Sequence, residues 1–324
     1  MAVPEPAAQP EHLAAAAAMA SELVAACARA VRAPAAVLEA CVAGLLSGGH
    51  IIVEDVPGVG KTVLAKALAR ASGLAYSRVQ CTADLLPADV TGVTVWHQGE
   101  GSFRFHPGPV FANLVLVDEI NRASPKTQSA LLESMEEGQV TVDGQTRPLP
   151  APFMVIATQN PVEYEGTFPL PEAQLDRFAM RVSLGYPSAH EEAAMLLELA
   201  SHEALDDVPQ VADVRAIAAA QAALGSVAVR PALAEYVVDL VRATRADPRV
   251  ELGASPRAGL SLLRTARARA LLRGRDSAVP EDVRAVAPMA LAHRLLVSHD
   301  ARARGVDPLD VVEDAVAVTE VPLA

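Results

Sequence analysis

The run Ile51-Ile52-Val53-Glu54-Asp55-Val56-Pro57-Gly58-Val59-Gly60-Lys61-Thr62-Val63 constrains this chain more than any other part. An apolar strand that breaks into a Pro-Gly turn and restarts as a helix near Lys61 is the opening unit of an α/β sheet. Gly58 and Gly60 let the backbone curl until several N–H groups converge, and the positive end of the helix dipole adds to them. The segment Pro57, Gly58, Val59, Gly60, Lys61, Thr62 and Val63 therefore predicts a cradle for a nucleoside triphosphate. Lys61 would neutralise the β- and γ-phosphates, and the Thr62 hydroxyl would hold Mg²⁺, a hard cation that prefers oxygen ligands. The general phosphate-loop pattern has glycine six places before the lysine, whereas Asp55 stands there in this chain. A strand, turn and helix that carry Gly-Lys-Thr by accident is the alternative the loop alone leaves open.

A second segment, Asn113-Leu114-Val115-Leu116-Val117-Asp118-Glu119, is continuously apolar and ends in two carboxylates. Such a strand fits a parallel sheet covered on both faces, and ligands of open α/β sheets bind beyond the C-terminal strand ends. Placed there, Asp118 can orient Mg²⁺ through its water shell, and Glu119 can polarise an attacking water as general base. Alone, the pair would read as a buried strand running into a solvated turn. Together with the Lys61 loop it reads as the other half of a triphosphate site.

The 324 residues suffice for two domains and a substantial core. A formal net charge of -12 argues against electrostatic capture of nucleic acid or of an anionic membrane, and 3% aromatics leave few platforms for stacking single strands. Cys27, Cys41 and Cys81 lack paired metal-ligand spacing and fit buried thiols in a reducing cytoplasm. The alanine run Ala14 to Ala18 follows Glu5 and Glu11, with no Lys or Arg before Arg29, so it does not read as an export segment. No apolar run reaches membrane-spanning length, and the expectation is a soluble cytoplasmic protein.

Residues 1–14, with Pro4, Pro6 and Pro10, read as a loose tail leading into two alanine-rich helices that end before Gly48-Gly49. Between there and Tyr186-Pro187, strands are expected at Ile51–Glu54, Tyr76–Gln80, Leu114–Val117, Phe153–Thr158 and Arg181–Leu184, alternating with helices. Two hairpins interrupt them. One pairs Val93-Thr94-Val95 with Phe103-Arg104-Phe105, and the other runs Val140-Thr141-Val142 into the turn Asp143-Gly144. Each reads equally as a partner-binding ribbon or as cover for a sheet edge. After residue 187 only helices are expected: Glu191–Glu203, Val211–Leu224, Pro231–Ala246, Pro256–Arg273 and Pro280–Val297, several opened by proline.

Four segments in this order resemble the MoxR family of AAA+ ATPases: the loop Glu54 to Thr62, the strand end Val117-Asp118-Glu119-Ile120-Asn121-Arg122-Ala123, Ala157-Thr158-Gln159-Asn160-Pro161, and Phe168-Pro169-Leu170-Pro171-Glu172-Ala173-Gln174-Leu175-Asp176-Arg177-Phe178. The resemblance covers the chain from about residue 15 onward, and an acidic residue at the position of Asp55 is common in that family. It implies an α/β P-loop core of parallel sheet and hairpin insertions over 15–187, then a smaller all-α lid over 188–324. It further implies ATP hydrolysis with Mg²⁺ in a homo-oligomeric, hexameric ring that remodels or matures client proteins, commonly ones with von Willebrand factor A domains.

Residue by residue, the resemblance implies that Asn160 positions the lytic water or γ-phosphate, although Asn160-Pro161 reads equally as a turn. It implies that Arg177 reaches the neighbouring subunit's γ-phosphate; an ion pair with Asp176 or Glu172 is the alternative. Arg257, just after the cap Ser255-Pro256, matches the lid arginine that senses phosphate. Gln80 matches a polar residue that restrains the catalytic glutamate, and Arg122 reads as facing a neighbouring subunit; either also reads as structural.

Arg264, Arg267, Arg269, Arg273 and Arg275 form a basic cluster. At about 100° per residue, Arg264, Arg267 and Arg275 project to one side and Arg269 and Arg273 to the other, so no single nucleic-acid-binding stripe results. Trp96, the one tryptophan, lies in the first hairpin as either an exposed anchor or an edge residue. Two rival classes stay open, a nucleic-acid-dependent motor and the ATPase subunit of a metal chelatase.

Overall fold

The computed structural model describes residues 10–161, 166–190, 192–193 and 204–322. Helices α1 (Pro10–Ala28) and α2 (Ala35–Leu46) precede β1 (Ile51–Glu54), α3 (Lys61–Ser72) and β2 (Tyr76–Gln80). The short α4 (Pro87–Thr91) leads into the hairpin β3 (Gly92–His97) and β4 (Ser102–Pro107), and β5 (Leu114–Asp118) and α5 (Pro125–Glu137) follow. A second hairpin, β6 (Gln139–Val142) and β7 (Gln145–Pro148), precedes β8 (Met154–Gln159), α6 (Glu172–Leu175) and β9 (Met180–Val182). The expected α/β core with a helical lid is what forms.

Five strands make one sheet in the order β2-β5-β8-β1-β9, and every pairing is parallel. Alternate side chains of each strand enter different cores. Ile51, Val53, Leu114, Leu116, Met154 and Ile156 face the layer built with α1, α2, α3 and the lid. Ile52, Val115, Val117, Val155 and Ala157 face the layer under α5. Burial on both faces explains why these strands are continuously apolar rather than alternating.

The two hairpins form separate ribbons outside this sheet. Asp143 and Gly144 both take positive φ, 52° and 72°, as a two-residue turn of this sequence requires. The ribbons lean on each other: the Arg147 guanidinium lies 4.0 Å above the Phe105 ring, which packs edge-on against Phe111. Trp96 and Phe103 form a T-shaped cross-strand pair at 5.0 Å and stay 52% and 72% exposed.

Downstream come α7 (Val214–Leu224), α8 (Pro231–Ala246), β10 (Val250–Leu252), α9 (Pro256–Leu272), α10 (Pro280–Leu291), β11 (Leu296–Val297), α11 (His299–Ala303) and α12 (Pro308–Val318). This region departs from the purely helical expectation, because β10 and β11 pair antiparallel. The long helix expected over Pro280–Val297 stops at Leu291, three residues past Pro288, which contributes no N–H to the helical ladder. A 3₁₀ turn then carries His293 and Arg294 inward to the Phe178 carbonyl. The helix expected from Val211 begins at Val214, where Asp213 accepts the Ala216 N–H as its cap. Helix α1 begins at Pro10, ahead of the tail boundary placed at residue 14. The helix expected over Glu191–Glu203 lies almost wholly outside the described residues.

The arginine cluster also rearranges. Arg275 lies beyond the end of α9, so the helical projection does not apply to it, and it joins Arg269 on the fully buried Asp282. Arg267 donates to the carbonyls of Val227 and Gly225, and Arg273 pairs with Glu39. Arg269 and Arg275 share one buried carboxylate while Arg267 and Arg273 turn to other acceptors, and no basic stripe forms.

Candidate functional site

At the C-terminal edge of the sheet, β1 runs into the loop Asp55 to Gly60. Gly58 and Gly60 adopt φ of 88° and 95°, a conformation that favours glycine, and a Cβ built on either would project into open space. Gly60 is the N-cap of α3 and the helix has no side-chain cap there, which leaves its first N–H groups available to an anion. Lys61 Nζ donates to the Asp55 carbonyl at 2.5 Å and reaches the Gln159 carbonyl at 3.5 Å, bridging the ends of β1 and β8.

Asp55, the departure from the general loop pattern, has a structural task. Its buried carboxylate accepts the Leu184 N–H at 2.5 Å, the Ser183 hydroxyl at 2.9 Å and the Gly185 N–H at 3.3 Å. It thereby ties the loop to the segment that follows β9. Nothing local in the sequence signals this, because the partners lie about 130 positions away.

The end of β5 places Asp118 and Glu119 beside the loop, with only β8 between β5 and β1. Asp118 Oδ1 accepts the Thr158 hydroxyl at 2.6 Å, and the same hydroxyl oxygen accepts the Glu119 N–H at 2.9 Å. This double contact holds Glu119 at φ 57°, ψ 53°, a left-handed conformation costing about 1–3 kcal/mol in a non-glycine residue. Glu119 Oε2 accepts Gln80 Nε2 at 3.3 Å and pairs with Arg122 Nε at 3.1 Å. Arg78, which no motif had singled out, pairs with Asp118 Oδ2 at 2.5 Å. Thr158 belongs to the Ala157–Pro161 motif, which by itself gives the threonine no role. Asn160 is buried immediately beyond β8, at the same edge.

The oxygen ligands present suit a small hard cation: a threonine hydroxyl at the start of α3 and a carboxylate at the end of β5. The open glycine cradle and the uncapped helix terminus suit a polyphosphate. Thr62 and Asp118 would hold the metal, and the Pro57–Val63 backbone would hold the nucleotide.

Arg177 and Arg257 lie elsewhere. They share Glu136 at the end of α5, with Arg177 Nε 3.3 Å from Oε2 and Arg257 Nη1 3.0 Å from Oε1. The cleft around them, about 550 Å³, is lined by Gly48, Gly49 and His50, which precede β1, and by Arg264 and Arg294. It is therefore at the N-terminal edge of the sheet, opposite Lys61. Asp176 does not pair with Arg177; it takes Arg294 at 3.2 Å and the Ser255 hydroxyl at 3.1 Å. Burial lowers the Arg294 guanidinium to about 10, with Asp176 opposing that shift. His50 is buried as well, its Nε2 bonded to the Met135 carbonyl and its Nδ1 accepting the Val155 N–H, and burial lowers it to about 4.

Cys27, Cys41 and Cys81 are free and buried, and burial pushes each thiol up to about 12. Among the described residues no helix is long and apolar enough to cross a membrane.

Comparison with known proteins agrees with this geometry. Residues 50–180 match the model of the ATPase family associated with various cellular activities, and residues 242–315 match the AAA lid domain. The uncharacterized protein YeaC of Bacillus subtilis is 48% identical over 87% of this chain and 88% of its own length. Chaperone MoxR1 of Mycobacterium tuberculosis is 42% identical over 88% of this chain and 78% of its own. A crystal structure from Cytophaga hutchinsonii, described as a candidate ATPase, superposes with a TM-score of 0.89 at 35% identity, covering 97% of this chain and 98% of that one. A P-loop edge with paired carboxylates, a helical lid and relatives of this length and identity establish that the chain belongs to the MoxR family of AAA+ ATPases.

Proposed function

We propose that this protein hydrolyses ATP with Mg²⁺ in a ring of identical subunits, hexameric by the family resemblance, and uses the cycle to remodel or mature client proteins. One observation carries the reading. Lys61, Thr62, Asp118 and Glu119 occupy one edge of the sheet, while Arg177 and Arg257 occupy the other. Each chain thus holds two incomplete halves of one site, and a neighbour brings the arginines to the phosphates.

When bound, Mg²⁺ supplies positive charge against the charge that builds on the transferring phosphoryl group. The chain's own residues do the rest. The Pro57–Val63 N–H groups and Lys61 grip the phosphates, and Thr62 and Asp118 fix the metal's place. Glu119 takes the proton from the attacking water, and the Asn160 amide orients that water. Arg177 and Arg257 of the adjacent copy stabilise the developing charge. The name of the chaperone relative supports work on proteins. The exposed Trp96–Phe103 pair on the first hairpin offers an apolar contact for a client, which we take to be a protein with a von Willebrand factor A domain. The cytoplasm is the proposed compartment.

The test has two arms. Glu119→Gln is expected to bind ATP like the parent chain and to lose at least about 100-fold in turnover. Lys61→Ala and Arg177→Ala are each expected to be inactive alone, yet to regain turnover when mixed, because mixed interfaces reunite an intact loop with an intact arginine. No recovery on mixing, with assembly intact, would show that Arg177 acts within its own chain.

A further inference from the structure

We propose that Arg78 is a positioning residue that ties the metal seat at Asp118 to the restraint on Glu119, so that arrival of the metal loosens the catalytic base. The inference rests on the ATPase reading above and assigns a role that the reading does not need.

Strands β2 and β5 pair in register, with Arg78 opposite Leu116 and Gln80 opposite Asp118. Residues two apart on a strand share a face, so Arg78 and Gln80 stand together beside Asp118. One guanidinium nitrogen, Nη2, serves both: it lies 2.5 Å from Asp118 Oδ2 and 2.5 Å from Gln80 Oε1. With its carbonyl oxygen committed to Arg78, the Gln80 amide must present its NH₂ on the other side, and there it meets Glu119 Oε2 at 3.3 Å. The contacts form a continuous chain from Asp118 through Arg78 and Gln80 to Glu119.

A cation arriving at Asp118 repels the guanidinium that already neutralises that carboxylate. Once Arg78 withdraws, Gln80 loses the donor that fixes its orientation and with it the bond to Glu119. Of Gln80 and Arg122, Glu119 then keeps only Arg122, and its carboxylate can turn to a water. The arrangement is an interlock, with the base held while the metal seat is filled by arginine and released when metal takes that seat.

The experiment measures the Mg²⁺ midpoint for binding a fluorescent ATP analogue to the full chain, so that no turnover is needed. Arg78→Ala is expected to lower the midpoint about fivefold, the scale of a half-exposed ion pair. Gln80→Ala, which removes one acceptor from Arg78, is expected to lower it about twofold, and the double variant to fall no further than Arg78→Ala, because coupled neighbours are not additive. Arg78→Gln supplies the same comparison where the alanine variant folds poorly. A midpoint unchanged or raised in Arg78 variants that still bind nucleotide would overturn the proposal, and additive shifts would overturn the relay through Gln80. Failure of the parent chain to bind the analogue at any Mg²⁺ concentration would instead sink the ATPase reading itself.

Discussion

Replacing Asp55 tests whether a residue that departs from the general phosphate-loop pattern is there to hold the fold together. Three groups converge on its buried carboxylate: the Leu184 N–H, the Ser183 hydroxyl and the Gly185 N–H. Leu184 is buried, so its donor has no water to turn to and an unmet bond there costs about 2–3 kcal/mol. Ser183 is exposed and Gly185 half-buried, so water replaces much of what they lose, about 0.5–1 kcal/mol each. Asp55→Gly, which restores the general pattern, is therefore expected to destabilise the chain by about 3–5 kcal/mol. Asp55→Asn keeps one acceptor oxygen but sets an NH₂ against one of the donors, and about 2 kcal/mol is expected. Thermal unfolding followed by circular dichroism should show the glycine variant melting about 6–10 °C lower. Hydrogen exchange at 183–185 should quicken at least about tenfold in both variants, because opening of that segment no longer breaks charged bonds. A glycine variant as stable as the parent, with unchanged exchange at Leu184, would refute the reasoning and leave Asp55 as a neutral difference.

Two further outcomes follow from buried charges and rings. His50 is lowered to about 4 in the folded chain against about 6.5 when unfolded, so on acidification the unfolded state takes up the proton first and stability falls between those values while staying flat above them. Between pH 7 and pH 5 this ring contributes a loss of about 2 kcal/mol, and His50→Gln should unfold with a correspondingly shallower pH dependence in denaturant titrations; an identical slope would show that the ring is protonated in the fold. Asp282 is fully buried and holds both Arg269 and Arg275 as well as the Val279 N–H. Asp282→Ala should cost about 3–5 kcal/mol and lower the melting temperature of the lid, whereas an unaltered melt would reduce these arginines to surface charges.

The sheet was legible because its strands are apolar on both faces and its loops carry motifs of fixed spacing. Ile51-Ile52-Val53 and Leu114–Val117 could be read as continuous apolar runs, and the lid from the proline-opened helices after Tyr186 together with the family resemblance. What stayed hidden depends on contacts between residues far apart in the chain. Strands β10 and β11 hold three and two residues, too few to show a period of two, and their pairing follows from the break after Leu291. Arg275 was placed by a helical projection that ends before it. In the site, Lys61, Asp118 and Glu119 announce themselves because their chemistry needs those residue types at those places. Thr158 and Arg78 do not, since a threonine in a strand and an arginine on a strand's open face are ordinary until the neighbouring strand brings Asp118 beside them. The left-handed backbone at Glu119 is likewise invisible in a sequence, because it is imposed by the Thr158 hydroxyl across the sheet.

The separation of the arginines from the loop bears on why such a chain would assemble. Parallel strands place every C-terminal end at one edge, and β1 alone carries the chain across about 16 Å of sheet between His50 and Asp55. Arg177 is fixed just before β9 and Arg257 at the start of α9, and both are anchored to Glu136 on the far edge. Neither guanidinium can round the sheet to its own Lys61 without unmaking the β9 pairing and the Ser255 cap that position them. A second copy stacked so that its N-terminal edge meets this chain's C-terminal edge removes that obstacle, and the same contact repeats from copy to copy because each subunit offers one edge of each kind. Contacts of that head-to-tail type close into rings when the rotation between copies permits. On the proposed reading, Glu136 then holds the two arginines together as a pair until phosphate replaces its carboxylate, which makes the acid a placeholder for the ligand rather than a competitor for the fold.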